Sequence, residues 1–245
     1  MLDINSIETD KAIKKVINLG DHVLVHSSLS RMGNFINGPN SIINSLIDAV
    51  GSGGTIIMIT HTFSFAKTKK FSITSPSESG ILSEFFRKYP NVKRSCTPMV
   101  SFCALGRLDD YFTQPFDSHL DETATLSRLL VMDGKILLMG IGFKKCTLYH
   151  LSEERLSSPH NFYKNFEGGF YENEKFVRPI SQRYFVRKDI NLKKNGANVQ
   201  TIIENKNLVK KTALGKGYLR SFKARDFDNI CMTELKNNQD FFLEN

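Results

Sequence analysis

His150, Glu153 and Glu154 stand three and four residues apart in the stretch KILLMGIGFKKCTLYHLSEER, residues 135–155. On a helix those spacings share one face, so an imidazole there has a carboxylate within reach. An imidazole titrates near neutrality and can take or give a proton at working pH, with a neighbouring carboxylate orienting the ring. The same spacing also fits a plain surface helix with a satisfied histidine. A second chemical candidate is His26 to Gly33, HSSLSRMG, whose serines and backbone N–H groups suit an anion or an amide arm.

Several chemistries are excluded by pattern. No G-x-x-x-x-G-K-S/T phosphate loop, G-x-G-x-x-G fingerprint or G-x-S-x-G nucleophile elbow occurs. Cys96, Cys103, Cys146 and Cys231 are scattered, without CxxC or Cys/His spacing, so free thiols and no metal are expected. The net charge of +8 is concentrated late in the chain. Residues 175–225 hold 14 basic side chains against two acidic ones, Asp189 and Glu204. Such a surface attracts anions. Without a recognition module for nucleic acid, an anionic small ligand is expected there, and no nucleic acid.

The elements that must position these residues follow from periodicity. Ile136-Leu137-Leu138-Met139 reads as a strand buried on both faces, with Gly140 and Gly142 breaking the run. His150 then falls just beyond the carboxyl end of that strand, where open α/β sheets place their chemistry. Residues 22–25 and 55–59 read as further strands, joined by a helix from Gly38 to Val50, which makes a right-handed β-α-β unit. Helices are also expected over 5–18, from Ser77 or Glu78 to Pro90, and over 123–132. A strand is expected over 99–104.

After Pro159, alternating stretches such as QRYFVR predict antiparallel strands, with turns at Gly168-Gly169 and Asn195-Gly196. The expected architecture is therefore an α/β fold: a central, mostly parallel sheet flanked by helices, with a C-terminal antiparallel elaboration, one domain over residues 1–245. With 40% hydrophobic and 24% charged residues and no apolar run long enough for a membrane span, no membrane partner is expected. The opening residues lack a signal-peptide pattern, so the expected location is cytoplasmic.

Five blocks in order resemble the aminoglycoside 3-N-acetyltransferase family: GDHVLVHSSLSRMG, GPNSIINSLIDAVGSGGTIIMITHTF, SGILSEFFRKYPNVKRSCTPMVSFCALG, DGKILLMGIGFKKCTLYHLSEER and TALGKGYLRSFKARDF. The resemblance implies a compact α/β acyltransferase, distinct from the GCN5 type, moving acetyl from acetyl-CoA to an amine without a metal. It makes His150 the catalytic histidine of a T-x-x-H-x-x-E motif, with Thr147 and Glu153 at the flanking positions. Ser27, Ser28, Leu29 and Ser30 match the loop along the cofactor. Arg94, Ser95, Pro98 and Ser101 match the block R-S-x-H-P-x-x-S that also borders it, although Thr97 replaces that block's histidine. Residues 122–126 likewise lack the Gly, Ser and Pro of the family's G-x-x-S-P-L stretch.

Thr147, Glu154 and His61 are expected on the acceptor side. For the acceptor, the positive charge favours an amino sugar carried on a nucleotide, as in surface-polysaccharide synthesis; the alternative is an aminoglycoside, with antibiotic resistance as the outcome. Against the charge argument stand Glu153, Glu154, Glu167, Glu172 and Glu174, which could form an acidic pocket in a basic protein. From another class, the same fold could serve as a non-catalytic anion- or nucleic-acid-binding protein. A monomer or a homodimer is expected.

Overall fold

The computed structural model describes residues 2–116, 118 and 122–244. Among them, seven strands form one sheet in the order Lys210–Leu214, Gly217–Lys223, Lys135–Met139, His22–Ser27, Thr55–Ile59, Phe102–Gly106 and Lys93–Arg94. The central strand His22–Ser27 pairs in parallel with Thr55–Ile59 on one side and Lys135–Met139 on the other. The flanking pairings are antiparallel. The expected sheet is thus present, with its parallel part confined to the three strands that lead to the site.

The inner stretches of the three parallel-paired strands are apolar because both faces are covered, and their side chains alternate between two cores. Val23, Val25, Ile56, Met58, Leu137 and Met139 face one core with Ile13, Ile42, Leu46 and Phe86. Leu24, Ile57, Ile59, Ile136 and Leu138 face the other with Leu126, Leu151, Phe227 and Ile230. The first layer holds the helices Ser6–Lys14, Gly38–Val50 and Ile81–Arg87; the second holds Thr125–Val131, Tyr149–Arg155 and Ala224–Asn237. Pro39 sits in the first turn of its helix, where a missing N–H costs nothing.

Three expectations are corrected. Gly168-Gly169 lies inside a long strand, Asn161–Glu172, which pairs antiparallel with Lys175–Arg187. The reversal falls at Asn173 and Glu174, both with positive φ (46° and 64°), the combination that suits a two-residue hairpin. Gly168 is needed for close approach: a Cβ there would stand 2.7 Å from the Phe65 ring. Its neighbour Gly169 donates its N–H to the Lys69 carbonyl at 2.8 Å, docking the hairpin on the short strand Lys70–Phe71. Asn195-Gly196 leads into a helix, Asn198–Asn205, rather than joining two strands. The strand expected over 99–104 runs from Phe102 to Gly106 and is antiparallel to its neighbour. Within Ile81–Arg87, Leu82 and Phe86 point inward while Ile81 and Phe85 are exposed.

Gly140 ends the Lys135–Met139 strand at φ +64°, the left-handed region that favours glycine. A Cβ there would lie 2.7 Å from the Ser28 carbonyl oxygen and 2.9 Å from the Met32 sulfur. The chain therefore turns toward His150 directly against the Ser28–Met32 segment. Gly140→Ala is expected to cost about 1–3 kcal/mol of stability, measured as a fall in the denaturation midpoint; an unchanged midpoint would show that this turn tolerates a side chain.

Candidate active site

Beyond Met139 a short 3-10 turn, Phe143–Lys145, carries the chain to the helix Tyr149–Arg155. His150 is in its first turn, and Nδ1 lies 2.8 Å from Glu153 Oε2. The expected i, i+3 contact is present. Glu154 turns elsewhere: its Oε1 accepts from Ser118 Oγ at 3.1 Å and from the Tyr163 hydroxyl. Of the two glutamates only Glu153 serves the imidazole.

The other oxygen of Glu153, Oε1, accepts from Lys194 Nζ at 2.5 Å, and Lys194 also donates to Asn161 Oδ1 at 2.6 Å. Glu153 and Lys194 are both buried, whereas about a third of the His150 side chain is exposed. Burial alone pushes the Glu153 carboxyl up. The hydrogen bond with His150, the charge of that ring and the Lys194 ammonium outweigh burial and hold it below its ordinary value. Glu153 is therefore a carboxylate that orders the ring, accepting from an Nδ1–H.

Two cavities, of about 490 and 460 Å³, meet at this ring. Both are lined by Lys145, Thr147, His150 and Tyr184. The first continues between the hairpin and the 188–194 segment, past Phe185, Val186, Arg187 and Lys194. The second runs under the carboxyl ends of the parallel strands, past His26, Ser27, Ile59, His61, Phe102 and Glu78. Thr147 Oγ1 is buried without a hydrogen-bond partner among the described residues, as are Nε2 of His26 and of His61. Burial pushes the imidazole of His26 down to about 4 and that of His61 down to about 3, the charges of His26, Arg94 and His150 adding to the second. Both rings are neutral at pH 7.

The remaining sequence candidates divide. Ser27 and His61 line the second cavity, and Thr147 borders both. Ser28, Leu29 and Ser30 form the turn beside Ser27 but line neither cavity. The N–H groups of Ser28, Arg31 and Met32 are taken by Met139, Ser28 and Leu29 carbonyls. Arg94 also lines neither. Its guanidinium donates to Ser101 Oγ at 3.0 and 3.1 Å, to the Thr60 carbonyl at 2.6 Å, to Thr62 Oγ1 at 2.9 Å, to the Ile73 carbonyl at 3.0 Å and to the Ser75 carbonyl. Ser95 Oγ is bonded to Thr97 Oγ1 and to the Phe102 N–H, and Ser95, Pro98 and Ser101 are buried. This block braces the wall behind His61 through internal bonds.

The acidic pocket is not assembled. Glu153 and Glu154 are engaged as described, and Glu167, Glu172 and Glu174 line neither cavity. Sequence reasoning missed Lys194, Asn161, His26, Lys145 and Tyr184 as residues of the site. His26 and Lys145 lay inside quoted motifs, next to Ser27 and close to Thr147 respectively, and so carried a signal; the other three did not. Among the described residues no group of His, Cys, Asp or Glu is placed to hold a metal, and no helix is long and apolar enough to cross a membrane.

The sequence model of the family described as aminoglycoside 3-N-acetyltransferase matches residues 24–236. The chain belongs to the aminoglycoside 3-N-acetyltransferase family. It is 32% identical over 162 residues to the SPbeta prophage-derived aminoglycoside N(3')-acetyltransferase-like protein YokD of Bacillus subtilis, a match covering 56% of this chain and 60% of that protein. To aminoglycoside N(3)-acetyltransferase IV of a Salmonella species it is 27% identical over 239 residues, covering 94% and 88%. The solved structure of AAC-IIIb in binary complex with CoASH superposes at a TM-score of 0.83 with 23% identity, covering 96% of this chain and 97% of that one. The family resemblance drawn from the five blocks therefore holds; of the two sequence relatives, one is an aminoglycoside N(3)-acetyltransferase and the other is described as like such an enzyme, of which this chain spans 60%.

His26 and His61 are neutral in the fold but gain protons in the unfolded chain below about pH 6.5. Stability therefore falls as pH drops from about 6.5 toward the folded values, by about 1.4 kcal/mol per pH unit for each ring. Denaturation midpoints at pH 7 and pH 5 should show the loss, reduced in His61→Gln; equal losses in both proteins would mean that His61 does not contribute.

Proposed function

We propose that this protein transfers the acetyl group of acetyl-CoA to an amino group of an aminoglycoside, with His150 as general base. The observation that carries the reading is the placement of one ordered imidazole where two cavities meet. A two-substrate transfer needs such a junction, with room for a thioester on one side and an amine on the other.

The second cavity suits the donor's arm: it is walled by Val25, Ile59, Phe63, Phe102, Leu126 and Ile141, with His26, Ser27 and His61 as polar contacts. The acceptor then approaches from the first. An alkylammonium must lose a proton before its nitrogen can attack. As the resulting free amine, its ammonium proton given up to solvent, bonds to the thioester carbonyl carbon, Nε2 of His150 takes a second proton from the nitrogen, and Glu153 stabilises the imidazolium through Nδ1. Collapse breaks the carbon–sulfur bond, and the proton passes to the departing CoA thiolate. Thr147 Oγ1, beside both cavities and unpartnered, is placed to donate to the carbonyl oxygen as it gains charge.

The names of the relatives favour an aminoglycoside acceptor over a nucleotide-linked amino sugar. One observation keeps the second acceptor class in play. The first cavity is lined by Lys144, Lys145, Arg187 and Lys194, and among the described residues no carboxylate lines it. A polycationic drug gains nothing from that wall, whereas an amine on a phosphorylated carrier does.

Thiol release from acetyl-CoA, with aminoglycosides and phosphorylated amino sugars offered in parallel, tests the reading. Turnover with an aminoglycoside supports it; turnover confined to the phosphorylated amines replaces the acceptor; no release with any amine overturns it. His150→Ala should lower kcat by about 10²–10⁴-fold with acetyl-CoA binding retained.

A further inference from the structure

Lys194 is a buried ammonium that lies outside the five blocks carrying the family resemblance. It comes from the segment between the hairpin and the helix Asn198–Asn205, and its side chain is 3% exposed. Burying a charge this fully is costly unless paired, and its partners are the two oxygens Glu153 Oε1 and Asn161 Oδ1. The segment is pinned by the chain's last residues: Lys194 bridges to Leu243, the Asn195 N–H reaches the Phe242 carbonyl at 2.6 Å, and the Glu244 N–H reaches the Lys193 carbonyl at 3.0 Å. Phe242 in turn packs on Tyr149 at 4.7 Å between ring centroids, and Tyr149 lies 4.0 Å from the His150 ring.

We propose that Lys194 is a positioning residue for the transfer, holding Glu153 so that one oxygen serves the ammonium and the other fixes His150. Its second effect is electrostatic. A positive charge one carboxylate away from the imidazole disfavours the imidazolium, so it keeps the base free to accept a proton. Glu153 alone would do the opposite and leave the ring protonated to higher pH. This rests on the reading of His150 as the base.

Other groups around the ring stay in place when Lys194 is changed. Among the described residues they are Tyr149 from its own helix, Lys145 from the preceding turn, Tyr184 and Arg187 from the hairpin, and His26, His61 and Glu78 across the second cavity. The neutralising variant Lys194→Met therefore isolates one charge. The acid limb of its kcat/KM profile should move to higher pH by on the order of one unit, with a lower plateau because Glu153 is no longer held. Lys194→Arg should restore the limb. Where Lys194→Met fails to fold, Lys194→Gln keeps a donor to Glu153 without the charge and should show the same movement.

A folded neutral variant with an unmoved acid limb would overturn the proposal and leave Lys194 a structural residue. His150→Ala separates this from failure of the base itself. If that variant turns over normally, the reading of His150 is wrong; if it is inactive while the limb of the Lys194 variant stays put, only the role of Lys194 is lost.

Discussion

One carboxylate, Glu153, is held between an imidazole and an ammonium inside the protein, and the rest of the site depends on that bond pair. Glu153 cannot be buried as a lone charge, and Lys194 cannot either; each is tolerable only because the other is within 2.5 Å. The pair leaves one oxygen of Glu153 over, and that oxygen sets the direction of His150. Removing any member leaves a charge or a ring without its counterpart, so the three residues stand or fall as a unit.

Placing them together draws on distant parts of the chain. The strand Lys135–Met139 and the turn after Gly140 deliver the helix that carries His150 and Glu153. Asn161 opens the long hairpin, and Lys194 follows it. The residues at 242–244 lock the segment behind Lys194. Arg94 does comparable work on the opposite wall, where one planar guanidinium joins the 60–62, 73–75 and 101 segments. Its fork geometry is what lets a single side chain span them.

Much of this was legible in the sequence for local reasons. The apolar runs at 55–59 and 135–139, the helix from Gly38 to Val50 and the His150–Glu153 spacing are patterns of neighbouring residues, and periodicity reads them. The exclusive choice of Glu153 over Glu154 was not legible, because it depends on Ser118 and Tyr163 claiming the second carboxylate. Lys194 was hidden for the same reason: in a stretch of 14 basic residues nothing marks the one that is buried. Gly168-Gly169 misled because glycine signals close approach as well as reversal, and here a neighbouring carbonyl and a ring require the space. Arg94 was read toward a ligand, and its position inside a web of carbonyls is a tertiary fact.

The partition between the two cavities has a kinetic consequence. Among the described residues the chambers share Lys145, Thr147, His150 and Tyr184, so in the proposed transfer each reactant would have its own seat, and neither would have to vacate for the other to enter. Such a layout favours a ternary complex in which both partners wait on opposite sides of one ring, rather than a shuttle in which the enzyme itself carries the acyl group between visits.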